Sequence, residues 1–261
     1  MHCFRNSLPQ PPHKPAPSRP EKGPPSAPKA SGRLRLRRLR LEVLGSLGAA
    51  ALACSATAQI NQPIIDRAHR EVRFTATVQP EAMAKWIGGG VRGHHAITWR
   101  GGNAQDRALF VADASDHDVR AALDALGARR GENLTEQTWT ARNDPKSPEP
   151  DKRVEGTAID AFLEWNGHRV NLADVIREKG RTAPRLDLRY GGNERFQKDF
   201  HSGCIVCLYS CPGGAIGNHA HTIRDYARDG VVYEAIPERL PPEGTRVVVI
   251  LQLAESTHPS R

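Results

Sequence analysis

Polar and apolar residues alternate most cleanly in Glu71-Val-Arg-Phe-Thr-Ala-Thr-Val78, the period-two signature of a half-buried strand. His95-Ala-Ile-Thr-Trp99 and Ala108-Leu-Phe-Val-Ala112 are shorter strand candidates, with turn residues from Arg100 to Asp106 between them. Ser115-Asp-His-Asp then opens a helix, with serine as N-cap and acids in the first turn. Val119, Leu123 and Leu126 fall on one face of it, directed at the sheet, and Gly127 stops it. Val154 to Trp165 reads as a strand with Ile159, Phe162 and Trp165 as core candidates. Asn166-Gly167 is a hairpin signal, and His168-Arg-Val-Asn-Leu172 is the return strand. Arg185 to Tyr190 alternates again, and Val231–Ile236 and Arg246–Leu253 follow across a Pro-rich turn. The last run is so apolar that it belongs at the centre of a sheet. Residues 59–70 read as a lead-in, Ala84 to Val91 as a segment ending in a flexible glycine run, and residues 142–152 as a polar, Pro-rich loop. The order predicts one α+β domain over residues 59–261: a single mainly antiparallel sheet packed by one or two helices.

The chain ahead of that domain has a different pattern. Residues 1–32 hold nine of the twenty prolines and no apolar periodicity, so they read as a disordered upstream extension. Residues 33–58 read as a signal peptide: a basic stretch from Arg33 to Arg40, an apolar run from Val43, and the small-x-small tripeptide Ala56-Thr57-Ala58. Cleavage after Ala58 removes Cys54, although Ala51-Leu-Ala-Cys54 loosely resembles a lipoprotein box. The Arg37-Arg38 pair is compatible with twin-arginine export. An amphipathic surface helix is the alternative reading of the same stretch. The expected location is the periplasm or cell envelope.

Charge changes the picture less than its total suggests. The net charge is +8, but residues 1–58 hold ten Lys/Arg against two acidic residues, and the remainder holds 27 of each. The folded part is therefore neutral, and a nucleic-acid face, which needs concentrated positive charge, is not expected. No apolar run reaches the roughly 18 residues of a membrane span.

The segment from His95 to Trp99, followed by Arg107-Ala-Leu-Phe-Val-Ala-Asp-Ala-Ser-Asp-His-Asp-Val-Arg-Ala-Ala-Leu-Asp-Ala-Leu-Gly-Ala128 and by Gly131, resembles the signature of the YdjY-like domain family. The Val154–Trp165 strand with its hairpin resembles the family's next segment. The resemblance spans roughly residues 70–255. It implies a bacterial, often exported α+β domain. Some members are associated with iron–sulfur clusters, but the resemblance assigns no catalytic residue, and none is expected from the sequence.

The densest chemistry is Phe200-His-Ser-Gly-Cys-Ile-Val-Cys-Leu-Tyr-Ser-Cys-Pro-Gly-Gly214. As spacing it is His201-x2-Cys204-x2-Cys207-x3-Cys211-Pro212, which resembles the ferredoxin run C-x2-C-x2-C-x3-C-P with histidine in first place. Thiolates at such spacing in a glycine-flanked turn can converge on one ion, so zinc or one [4Fe-4S] cluster is the candidate cofactor. With three cysteines left after cleavage, the chain can build at most one site from Cys204, Cys207, Cys211 and one histidine. His201 is one candidate. His219 and His221, at i, i+2 on a strand, would point the same way and are two more. His94, His95 and His168 are further histidines without a spacing argument.

Three functions stay open. The first is an exported metal or cluster site in electron transfer or metal handling, with a redox protein as partner. The second is a non-catalytic envelope-binding module whose Cys motif is a disulfide staple. The third is a thiol–disulfide exchange site at Cys204-x-x-Cys207.

Overall fold

The computed structural model describes residues 61–83, 94–225 and 231–254. The proline-rich extension, the expected signal peptide and the whole Ala84–Val91 segment lie outside them.

The predicted alternation at residues 71–78 becomes β2 (Glu71–Val78), and β1 (Ile64–Asp66), which the sequence pattern does not reveal, pairs antiparallel beside it. β3 (His95–Trp99) and β4 (Ala108–Ala112) have the predicted limits. They lie parallel to each other, because residues 100–107 carry the chain back to the starting end of β3. A short helix, α1 (Pro80–Met83), follows β2.

The predicted helix is α2 (Asp116–Ala125). Ser115 caps it by accepting the Asp118 backbone N–H at 3.0 Å, Val119 and Leu123 are fully buried, and Leu126 is partly buried at the C-cap. A further helix, α3 (Glu136–Thr140), stands where no periodicity signals one, since five residues are too few to show a face. β5 (Ile159–Trp165) begins later than predicted. Ile159, Ala161 and Leu163 form its buried face, so Phe162 lies on the opposite side from the expected core, under the Arg169 guanidinium at 4.2 Å. Asn166 and Gly167 both take positive φ, 48° and 75°, as a two-residue hairpin turn requires, and lead into β6 (His168–Asn171).

The sequence then forms β7 (Ile176–Glu178), β8 (Leu188–Tyr190), α4 (Glu194–Phe200), β9 (Cys204–Cys207), β10 (Gly214–Asn218), β11 (Tyr233–Ala235) and β12 (Arg246–Leu253). The main sheet runs β6-β5-β12-β2-β4-β3-β9-β10-β8, with β1 beside β2. It is mainly antiparallel, as expected, but it is mixed: β3 with β4 and β9 with β10 are parallel pairs. β11 leaves it to pair with β7 in a second sheet of two strands. β12 is central, flanked by β2 and β5 over unbroken registers. At the far edge, β8 comes back against the residues just before β5. Tyr190 N donates to Thr157 O at 2.9 Å and Arg189 is bridged to Ala158, so the sheet curls until its ends meet. No helix among the described residues is long and apolar enough to cross a membrane.

Candidate functional site

The Cys motif does not form the expected turn. Cys204 and Cys207 are the two ends of β9, and Gly214 starts β10, with Cys211 on the connection between them. In an unbroken strand, side chains three apart point to opposite faces. Here the pairing of β9 with β3 shifts register twice, as His95 faces Cys207, Ile97 faces Val206 and Thr98 faces Cys204. Such bulges re-aim side chains, and the Cys204 and Cys207 thiols lie close enough to bear on one another's ionisation. The Cys207 and Cys211 thiols influence each other in the same way. The backbone at Gly213 and Gly214 seats against this group. A Cβ at Gly214 would lie 3.0 Å from Cys207 Cβ and 3.7 Å from Cys204 Sγ, and one at Gly213 would lie 3.5 Å from Cys211 Sγ. All three cysteines are free thiols.

The histidine that joins them is His95. Its Nδ1 lies 3.3 Å from Cys204 Sγ, and its ring lies 3.8 Å, centre to centre, from that of His94. A cavity of about 170 Å³ opens beside the group, lined by His94, His95, Arg107, Phe200, Cys204 and Cys211 among others. Burial, then the positive charge of Arg107, hold the His95 imidazole neutral, with its pKa lowered to about 3. Burial and the neighbouring His95 likewise push His94 well below its ordinary value. The Cys204 thiol, and then burial, raise the Cys207 thiol well above the usual range, against the opposite pull of Cys211. Cys207, and then burial, raise Cys211. Clustered thiols suppress one another's ionisation in this way, and a cation reverses that balance.

The other predicted histidines are held elsewhere. His201 is exposed at the left-handed C-cap of α4, with φ 48°. β10 ends at Asn218, so His219 and His221 follow the strand instead of sharing one of its faces. His219 Nδ1 lies 2.7 Å from Val154 O, and buried His221 places Nε2 2.6 Å from the Tyr233 hydroxyl. The structure thus gathers Cys204, Cys207 and Cys211 and joins His95 to them, 109 residues away in sequence from Cys204. Chemically, three sulfurs and a neutral imidazole suit a thiophilic ion. In the side-chain positions described, however, no group of three or more His, Cys, Asp or Glu residues is arranged to hold a metal ion.

With this arrangement in view, the relatives can be compared. The YdjY domain model matches residues 64–252, which takes in β1 through most of β12 and every residue of the thiol group. The chain belongs to the YdjY domain family. It is similar to the uncharacterised protein YdjY of Escherichia coli (strain K12), at 27% identity over 164 residues covering 62% of this chain and 68% of that one. No solved structure matches it. The match takes in the parallel β9–β10 pair and the connection that carry the cysteines.

Proposed function

We propose that this YdjY-family chain is an exported protein whose Cys204–Cys207–Cys211 group, with His95, binds one thiophilic metal centre, zinc or a [4Fe-4S] cluster, for electron transfer or metal handling. The observation that carries the reading is the placing of Cys204, Cys211 and a neutral His95 in the wall of one cavity, with the Cys207 thiol close enough to both other thiols to bear on their ionisation. Without a ligand these thiols stay protonated and bury readily as small apolar groups, and a bound cation would convert them to thiolate ligands. Binding would require the thiols to turn towards one another. Cys204, Cys207, Cys211 and His95 would hold the centre, which would supply redox or Lewis-acid chemistry when bound. Export is supported by the basic, apolar and small-x-small order of residues 33–58.

A disulfide staple is the second reading. It is favoured by the influence that the Cys207 thiol and both other thiols have on one another and by the oxidising compartment that export implies. Anaerobic purification from the exported fraction followed by elemental analysis separates the two. The metal reading expects about one zinc or about four iron atoms per chain, falling to background in Cys207→Ser and at least severalfold in His95→Ala. Metal-free protein with two thiols unreactive until reduction would replace it with the staple.

A further inference from the structure

The wall of the cavity beside the thiols holds more than ligand atoms for an ion. Trp139 of α3 and Phe200 of α4 give it an apolar side, with their rings edge to face at 5.6 Å, and Phe200 is half exposed, so this side reaches the surface. Arg107, just ahead of β4, gives it a positive charge. No aspartate or glutamate among the described residues lines it. The guanidinium is held in place: its Nη2 donates to Asn103 O at 3.0 Å, and its Nε is buried without a hydrogen-bond partner. The carboxylate of Asp106 lies 3.4 Å from that Nε, but it is 68% exposed, outside the wall and screened by solvent. The charge of Arg107 does reach into the cavity, where it adds to burial in keeping His94 and His95 neutral. With the thiols protonated and both imidazoles neutral, nothing in the wall offsets it.

One fixed cation, no acid and an apolar side together attract a monovalent anion, and walls of low polarity strengthen the attraction. The volume of about 170 Å³ exceeds the need of a bare inorganic ion, since a cavity of about 150 Å³ takes up benzene. We infer that this cavity binds a short-chain monocarboxylate, with its carboxylate on Arg107 and its alkyl chain against Trp139 and Phe200. The planar carboxylate matches the guanidinium fork, and the chain covers ring surface otherwise open to water. No bond is made or broken in this binding. The inference does not rest on the metal reading, because the guanidinium and the rings stand in the wall whether or not the sulfurs hold an ion.

The test is a titration of the full-length chain, metal-free and with reduced thiols, with butyrate, followed by amide and indole shifts in NMR. Saturable shifts are expected at the Trp139 indole and at residues 94–95, 103–107 and 200–204, with half-saturation below about 10 mM. Butyramide has the shape without the charge, and formate has the charge without the chain. Each should bind at least about tenfold more weakly than butyrate. Arg107→Gln should erase the preference for butyrate over butyramide, and Arg107→Lys should restore part of it. If Arg107→Gln does not fold, the ratio of butyrate to butyramide binding in the unaltered chain decides alone. Absence of saturation, equal binding of butyramide, equal binding of formate, or a preference kept in folded Arg107→Gln would each overturn the inference. The metal reading is decided separately: a chain that binds butyrate but carries neither zinc nor iron loses that reading alone, and one that carries metal but ignores butyrate when metal-free loses only this inference.

Discussion

Strands β5, β12 and β2 pair antiparallel over long unbroken registers, whereas β9 meets β3 through two register shifts and meets β10 in parallel. The first region holds a run of fully buried apolar side chains, Val72, Phe74, Val247, Val249 and Leu251, and its polar residues go into ion pairs such as Arg73 with Glu71 and Glu164. The second is equally buried but spends its interior on Cys204, Cys207, His94 and His95. Regular pairing keeps every second side chain on one face, which suits a core. It also forbids residues three apart from meeting. The irregular region gives up that regularity, and the gain is a cluster of thiols that an ideal strand could not assemble.

The largest expected effect lies in the regular region. Phe74→Ala removes a fully buried ring and should cost about 3–5 kcal/mol in denaturant unfolding. A loss below about 1 kcal/mol would mean that this face is not the structural core, and the contrast with β9 would collapse. The irregular region is tested by Gly214→Ala. The added methyl would press against backbone-anchored Cys207 Cβ at 3.0 Å, so overpacking should cost about 1–3 kcal/mol. Unlike the Phe74 change, it should also speed modification of the native thiols, because the crowding falls directly on Cys207 and Cys204. Wild-type stability together with wild-type thiol reactivity would show that the sulfur group yields freely and is not tightly seated.

The same division explains what could be read from the chain alone. β2, β3, β4 and β12 have the predicted limits, β2 from its alternation and the others as short apolar runs bounded by turn residues. β1 and β7, three residues each, are too short to show a period. The three cysteines were legible as a group by their spacing. Their histidine was not. His95 reaches Cys204 through the pairing of β3 with β9, a long-range register that no local pattern encodes, while the nearer His201, His219 and His221 offered better spacing and are held by other partners or by solvent. The one signal available was negative: an apolar strand beginning with two adjacent histidines, both of which prove to be buried.

The smallest expected effect returns to a feature where sequence and structure agree in detail. The Ser115 hydroxyl accepts the Asp118 N–H at 3.0 Å and donates to the Asp118 carboxylate at 2.7 Å, closing the first turn of α2. Replacing it with alanine removes the acceptor for one orphan N–H and leaves the burial of Val119 and Leu123 untouched. Ser115→Ala should therefore cost about 0.5–2 kcal/mol, well below Phe74→Ala. Because α2 packs on β2 and on β9, the variant also asks which region the helix serves. If α2 belongs to the regular core, global unfolding should shift while thiol modification in the native state keeps its rate. Faster modification of Cys204 or Cys207 at unchanged global stability would instead tie the helix to the cysteine-bearing strand, and the boundary between the two regions would have to be drawn on the other side of α2.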